Sequence, residues 1–234
     1  MEEDEKAVFS LGKRPKWIIH SLKALLSGNF FCKELNEMKK TSLSVRQMTT
    51  IAILAAIAAI LFMIEIPVVL FYKLDLSSLP VLLGAFALGP IPGTLILLVK
   101  SLLGLLHSTS QGVGELADFI MGFAMMFPAA LIYKKIKNRK GAVIGMISGS
   151  VIATVVGVLT NLFIMIPFYS AAYGMPVESI IAMGQGIIPA VDSEMKFVML
   201  ITGPFNILKW AVISVLTVLV YKPLSPLLHG KSLR

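Results

Sequence analysis

The chain has 234 residues, of which 56% are hydrophobic and only 15% are charged, and its mean hydropathy is +0.85. A soluble domain has about 25% charged residues, and a chain of the present composition would expose more apolar surface than water tolerates. The composition therefore excludes an ordinary soluble globule and predicts an integral membrane protein. The single cysteine, Cys32, also excludes an intramolecular disulfide framework.

The positions of the cations along the chain are more informative than the formal net charge of +8. Of the 21 lysines and arginines, nine lie in 1–46, five in 134–140 and three in 222–234. Such clusters at the ends of apolar segments follow the positive-inside rule, and no basic patch is interleaved with aromatic residues that could stack on bases. We therefore exclude a nucleic-acid partner and place these three segments on the cytoplasmic side of the membrane.

Three regions follow from this distribution. Residues 1–41 form a cytoplasmic N-terminal extension that we expect to be dispensable, although residues 17–26 are apolar on one side and suited to the membrane surface. The acidic residues 2–5 stand where a signal peptide would be basic. We assign 42–222 to a membrane domain and 223–234 to a cytoplasmic tail.

The apolar stretches predict six transmembrane helices and an all-α fold. As one helix, 79–106 would be about 42 Å long and would place the 134–140 cluster outside the cell. Its centre reads Gly-Pro-Ile-Pro-Gly at 89–93, a strong turn signal, so we divide it into two short spans. The other predicted spans are 47–66, 114–133, 141–166 and 203–221.

Two external segments connect these spans. Residues 72–80 show a partial alternation that predicts a short strand or a tight loop. Residues 167–202 mix glycine and proline with apolar residues, so we expect a lid that folds partly against the helix bundle.

Three polar side chains interrupt the apolar segments. Asn206 and Lys209 are three residues apart and share one helical face, and Asn161 lies six residues before Pro167, so we expect all three in the outer parts of spans five and six. Polar groups in hydrocarbon are costly unless they are satisfied. Helix–helix hydrogen bonding and snorkelling are the alternatives to a functional role, but convergence at one depth favours an outward-facing pocket.

The remaining chemistry is sparse, and it indicates a binding subunit rather than an enzyme or a pump. The Gly-Lys-Ser triplet at 230–232 lacks the first glycine of a phosphate loop, and the histidines lack zinc-ligand spacing. We therefore expect no catalytic residue, no metal and no cofactor. An ion-coupled carrier usually needs carboxylates in mid-membrane, whereas we place all seven between 42 and 222 at or near the external face: Glu65, Asp75, Glu115, Asp118, Glu178, Asp192 and Glu194.

Small residues in the first span provide a surface for close helix packing. Alanines are spaced four apart at Ala52 and Ala56 and again at Ala55 and Ala59, which forms a small-xxx-small pattern. Packing within the bundle and docking of a partner protein explain this pattern equally well.

Several motifs together resemble the riboflavin-specific S components (the RibU type) of energy-coupling factor (ECF) transporters, over about residues 42–222. The more specific ones are Lys-Leu-Asp-Leu-Ser-Ser-Leu-Pro at 73–80 and Pro-Phe-Asn-Ile-Leu-Lys at 204–209. The others are Ala-x-x-x-Ala at 52–56, Gly-Pro at 89–90, Gly-Glu-Leu-Ala at 114–117, Thr-Asn at 160–161 and Pro-Phe-Tyr at 167–169.

The resemblance implies a six-helix substrate-binding subunit of the bacterial plasma membrane, with both termini inside and no ATPase activity. Such a subunit binds riboflavin from outside, and a transmembrane coupling subunit with two cytoplasmic ATPase subunits completes the transporter. By the resemblance, Ala52 and Ala56 would dock the coupling subunit.

The resemblance also implies a set of binding residues. Asn161, Asn206 and Lys209 would hydrogen-bond the flavin, and the 73–80 loop, which includes Leu74 and Asp75, would close one side of the pocket. The remaining residues assigned to the binding site are Phe205, Tyr169 and Glu115.

The chemistry of these residues fits a flavin independently of the resemblance. Asparagine offers a donor and an acceptor to the imide edge of the isoalloxazine ring, and Lys209 can donate to a carbonyl or ribityl oxygen. Apolar walls from Leu74, Leu76, Phe205 and Tyr169 would cover the ring faces. Two alternatives stay open: an S component for another vitamin or flavin analogue, and a membrane scaffold in which the three polar side chains satisfy one another.

Overall fold

The computed structural model describes residues 43–229, with side chains described through residue 221. The part of the chain that it describes is predominantly helical, and the predicted extension 1–41 lies outside it. The main helices are α1 (Val45–Met63), α2 (Ser78–Leu88), α3 (Pro90–Gly104), α4 (Val113–Lys135), α5 (Arg139–Thr160), α6 (Ile166–Tyr173), α7 (Val177–Gln185), α8 (Glu194–Phe197) and α9 (Gly203–His229).

Within the described residues, five helical stretches are long and apolar enough to cross a membrane: 45–63, 90–107, 113–135, 139–173 and 194–221. The eleven-residue α2 is apolar but shorter. It ends at Leu88, and α3 begins at Pro90 after Gly89, whose φ of +112° lies in the region that favours glycine. The break therefore lies in the turn predicted at 89–93.

The long helices run alternately between two ends of the bundle. We call one the hairpin end, because it carries the strand pair after α1, and the other the basic end, because it carries residues 134–140. At the basic end, the Phe86 ring of α2 lies 4.8 Å from the Tyr133 ring of α4, between centroids. The C-terminal part of α2 thus reaches the basic end.

The fifth and sixth predicted spans are longer than the sequence indicated. A π-helical turn, Asn161–Met165, joins α5 to α6, and a second, Val198–Thr202, joins α8 to α9. Each π turn is followed by an α-helix with proline in its second position, at Pro167 and Pro204. The predicted boundaries at 166 and 203 were wrong because these prolines, which lack a backbone donor, follow wide helical turns instead of ending the helix.

A short antiparallel hairpin accompanies the predominantly helical fold. Strands β1 (Ile66–Val69) and β2 (Tyr72–Leu74) pair with an irregular register between Pro67 and Val69. The turn residue Leu70 has a φ of +50°. The strand or tight loop that the alternation at 72–80 predicted is therefore a two-stranded hairpin followed by α2.

Close packing of α4 against α5 fixes the centre of the bundle. A β-carbon at Gly149 would lie 2.3 Å from the carbonyl oxygen of Met125, and one at Gly145 would lie 2.6 Å from that of Ala129. Real β-carbons do not approach backbone atoms so closely, so these glycines allow direct helix contact. The neighbouring side chains of Met125, Ala129 and Met146 are buried in the main core.

A second apolar cluster closes the hairpin end. Tyr72 from the hairpin packs with Ile180 of α7, Val191 and Phe197 of α8, all of them buried. The segment 167–202 therefore continues helix α5, crosses the end of the bundle as α7, and returns through α8. This arrangement agrees with the expected lid, although much of the segment is helical extension.

Candidate functional site

Two lysines and two aspartates form a buried charge cluster between the hairpin and the helices. The Lys209 ammonium on α9 donates to Asp75 Oδ2 at 2.9 Å and to Asp118 Oδ1 at 3.2 Å. The Lys100 ammonium on α3 donates to the other oxygen, Oδ2, of Asp118 on α4. These four residues, which we call the charge cluster, have balanced formal charges, as buried charges require.

Lys100 is the most completely buried member of the charge cluster. Its side chain is fully buried, and its ammonium lies 4.4 Å from the centroid of the Phe62 ring on α1. An ammonium over an aromatic face gains electrostatic stabilisation when it is desolvated. The cluster thus joins α3, α4 and α9, with Phe62 adding a contact from α1.

Asp75 connects the hairpin to the charge cluster. It directly follows β2, and its Oδ1 accepts hydrogen bonds from the backbone N–H of Ser77, at 3.0 Å, and from the Ser77 hydroxyl. Burial alone would raise the pKa of the Asp75 carboxyl, but the Lys209 and Lys100 ammonium groups and the Ser77 hydrogen bond hold it below its usual range. An ionised Asp75 therefore holds this loop against α9.

Asn161 lies in a second polar group at the same site. Its Oδ1 accepts from the Tyr72 hydroxyl at 3.0 Å, and its Nδ2 donates to the carbonyl oxygen of Gly157 at 2.8 Å. The Tyr72 hydroxyl also lies 2.5 Å from the Thr202 hydroxyl. Asn161 begins one π turn and Thr202 ends the other, so both helical irregularities present polar groups to the hairpin.

In the sequence, Asn206 lies between Thr202, which bonds to Tyr72, and Lys209 of the charge cluster. Its Nδ2 donates to the Thr202 carbonyl oxygen at 3.0 Å, and its side chain is buried. A β-carbon at Gly157 of α5 would lie 2.8 Å from Asn206 Nδ2, so the glycine makes room for this amide. Among the hydrogen bonds of the described residues, none joins two of Asn161, Asn206 and Lys209.

These residues lie farther from the helix ends than the predicted spans implied. Asn206 lies twelve residues, or about 18 Å, after the helical stretch begins at Glu194, and Asn161 lies twelve residues before α6 ends at Tyr173. All three predicted polar residues are therefore several turns inside the long helices, not in their first outer turns.

The side chains predicted as apolar walls lie around Tyr72, the residue that bonds to Asn161. Phe205 is buried and stacks on Tyr72 with ring centroids 5.0 Å apart, and the half-buried Tyr169 lies 5.6 Å from Phe71. Phe71 also stacks on Phe197 at 6.1 Å. Leu74 is half-buried in β2 next to Asp75. The hairpin and α9 together supply an aromatic surface, which is suited to a flat ring.

Glu115 is buried but belongs to a different set of contacts. Its Oε2 accepts hydrogen bonds from the hydroxyls of Ser108, at 2.8 Å, and Ser110, at 3.1 Å. Ser108 and Ser110 also accept from the backbone N–H groups of Gly112 and Gly114. The observed contacts of Glu115 therefore organise the loop before α4, and none of them reaches the charge cluster.

The two alanine pairs of α1 face different surroundings. Ala55 is buried and Ala59 half-buried, so this pair packs toward the bundle, whereas Ala52 and Ala56 are exposed. Among residues 43–221, no group of three or more His, Cys, Asp or Glu side chains is arranged to hold a metal ion.

Sequence reasoning missed four polar members of the site: Tyr72, Lys100, Asp118 and Thr202. Asp118 was placed near the external face, but it is buried and bound to two lysines. One signal was available, because Lys100 and Asp118 carry opposite charges inside neighbouring apolar segments, and such charges usually pair. Tyr72 and Thr202 gave no comparable signal, since their contacts depend on the hairpin and on a π turn.

Known proteins share this architecture. A family profile described as "ECF transporter, substrate-specific component" matches residues 46–221. A solved structure described as "Structure and mechanism of the S component of a bacterial ECF transporter" superimposes with a TM-score of 0.61 at 33% identity, covering 78% of this chain and 96% of that one.

Characterised relatives agree with the family match. "Riboflavin transporter RibU" of Staphylococcus aureus is 31% identical over 185 residues, covering 77% of this chain and 90% of the relative. "Riboflavin transporter FmnP" of Bacillus subtilis is 24% identical over 190 residues, covering 79% and 94%. The resemblance found from the motifs is confirmed, and the chain belongs to the family of ECF transporter substrate-specific components.

Proposed function

We propose that this protein binds riboflavin from outside the cell and presents it for ATP-driven import, as the S component of an ECF transporter. The observation that carries the proposal is that the hairpin segment is tied to two of the predicted binding residues, through Tyr72 to Asn161 and through Asp75 to Lys209. Asn206 is buried near Lys209 on α9, and the Tyr72 ring stacks on Phe205. Relatives named riboflavin transporters supply the choice of ligand.

The chemistry of binding follows from the contacts that these residues already make. Asn161 bonds to Tyr72 and Asn206 bonds to a backbone carbonyl, and a flavin imide edge offers replacement donors and acceptors for both amides. The rings of Tyr72 and Phe205 would cover one face of the isoalloxazine. Because the charge cluster is balanced, a neutral flavin can enter beside it without adding an unpaired buried charge.

The position of Asp75 gives the hairpin a role in ligand entry. The Lys209–Asp75 ion pair and the Tyr72 hydroxyl tie the strand pair to α9 and to the α5 extension. Ligand entry then requires these bonds to open together, and a bound flavin replaces some of them. Leu74 and Tyr169 would move with this closing layer.

We further propose that α2 completes a set of six membrane crossings, with both termini in the cytoplasm. Five apolar helices and the positive-inside distribution support this topology in the bacterial plasma membrane. The membrane domain would span 42–222, between an N-terminal extension 1–41 and a tail 223–234.

Energy must come from partner proteins in this proposal. A transmembrane coupling subunit with two cytoplasmic ATPase subunits would supply it, and the exposed pair Ala52 and Ala56 would provide the docking surface on α1. Small exposed residues allow a partner helix to approach closely.

Titration of purified full-length protein with riboflavin, followed by quenching of flavin fluorescence, tests the proposed function. We expect saturable binding, and we expect Asn206→Ala to weaken it by about 1–3 kcal/mol because ligand groups lose their partner. Gln185→Ala, which changes an exposed amide outside the site, is the matched control and should bind like the wild type.

The outcomes separate the function from the site assignment. If the wild type binds no riboflavin, the proposed function is wrong; if the wild type and Asn206→Ala bind equally, only the site is wrong. A thermal unfolding series with other vitamins covers the alternative ligand, since a ligand that binds the folded state raises the unfolding temperature.

A further inference from the structure

A cavity of about 500 Å³ lies at the basic end, away from the proposed flavin site. Along α4, Tyr133 at this cavity is fifteen residues, or about 22 Å, from Asp118 of the charge cluster. The rings of Phe86, Tyr133 and Tyr221 form one wall, with the two tyrosine hydroxyls 2.8 Å apart. Asn138 and Arg139 lie on the polar side of the cavity.

The cavity continues as an apolar groove between α5 and α9. A second space of about 260 Å³ shares Val143, Met146, Val218 and Leu219 with the first and extends to Ile147 and Val215. The residues from each helix are spaced three and four apart, so each wall is one helical face. Val143, Val218 and Leu219 are exposed large hydrophobic residues, which makes this groove part of the lipid-facing surface.

The segment of the described chain that borders the cavity is basic. The segment 134–140 contains five lysines and arginines and no acidic residue, and Arg139 itself lines the cavity. Basic pockets between transmembrane helices recognise anionic lipid head groups. An apolar groove that begins at such a cationic rim and opens to the bilayer matches a molecule with an anionic head and a hydrocarbon chain.

We infer that this cavity and groove form a binding site for an anionic phospholipid. The phosphate lies beside Arg139 and the Asn138 amide, and one acyl chain lies between the two helical faces. A peptide would instead need partners for its backbone groups along the groove. Among the described residues, the inner part of the groove is lined by one polar side chain, Ser214, and by the apolar side chains of Val143, Met146, Ile147, Val215, Val218 and Leu219. The site is separate from the proposed flavin site and does not depend on that function.

The test compares the binding of two lipids and of phosphate to the purified, delipidated full chain in a non-ionic detergent. Dioleoylphosphatidylglycerol, dioleoylphosphatidylcholine and inorganic phosphate are added separately. Lipid retention is measured by native mass spectrometry, and the unfolding temperature is measured in a thermal unfolding experiment. We expect phosphatidylglycerol to be retained and to raise the unfolding temperature, phosphatidylcholine to do so less, and phosphate to have no effect. Equal effects of the two lipids, or an equal effect of phosphate, would overturn the proposal.

Two variants separate the head-group contact from the groove. Arg139→Gln should weaken phosphatidylglycerol binding about fivefold, whereas Lys196→Gln, which removes an exposed cation at the other end, should leave it unchanged. Val218→Trp should block the groove and abolish retention, whereas Val155→Trp on the exposed surface of α5 should not. Wild-type lipid selectivity in both Arg139→Gln and Val218→Trp would refute the site even if either variant were less stable.

Discussion

Lys100 is the most completely buried charged residue among those that the structure describes. Its ammonium is fully enclosed, and its partners are one carboxylate oxygen of Asp118 and the face of Phe62. Asp118 must in turn serve Lys209, which also holds Asp75. Lys209, which binds the ligand in our proposal, is therefore positioned by Asp118 and indirectly by Lys100, and neither of these needs to touch the ligand.

This coupling is measurable at the level of single residues. Lys100→Met should reduce the free energy of unfolding by about 3–5 kcal/mol, because it leaves excess negative charge in the buried cluster. Asp118→Asn should cost a similar amount by leaving excess positive charge. The double variant restores the charge balance. We therefore expect its loss of unfolding free energy to be smaller than the sum of the two single losses by about 2 kcal/mol. Simple additivity, measured by chemical unfolding, would show that the two charges act independently.

At the scale of the elements, the π turns explain how two prolines occur inside long helices at a polar site. Pro167 and Pro204 each follow a π turn, and these turns carry Asn161 and Thr202, the two groups that hold the Tyr72 hydroxyl. A regular helix would display these side chains at a different angle. The same local irregularity thus keeps the helix continuous and directs polar groups toward the hairpin.

The contact between α4 and α5 should be sensitive to a single methyl group. In Gly149→Ala the added β-carbon would lie 2.3 Å from a backbone oxygen of Met125, and the helices must separate. We expect a loss of about 1–3 kcal/mol in unfolding free energy, with riboflavin affinity retained in the folded fraction. Gly186→Ala is the control, since its β-carbon meets its nearest atom at an ordinary 3.4 Å. Equal stability of the two variants would contradict close packing at Gly149.

At the scale of the whole molecule, the sequence was sufficient for features set by composition and charge. Long apolar segments, the break at Gly89 and the family motifs could all be read from local patterns. The hairpin pairing and the π turns could not, because they depend on contacts such as Tyr72 with Asn161, which lie 89 positions apart. The charge cluster was missed for the same reason: four residues from separate segments meet only after folding.

Binding and transport should be separable in the whole molecule, because the proposed ligand site and the proposed docking surface lie on different elements. Ala52→Trp places a bulky ring on the exposed face of α1, so we expect ATP-driven riboflavin uptake to be lost while riboflavin binding by the purified protein is unchanged. Ala211→Trp makes the same change at an exposed position of α9 and should preserve both. Uptake is measured in proteoliposomes that contain the coupling subunit and the ATPases, and binding by fluorescence quenching. If Ala52→Trp lost uptake and binding together, Ala52 would serve packing within the bundle; if it kept both, the coupling subunit would dock elsewhere.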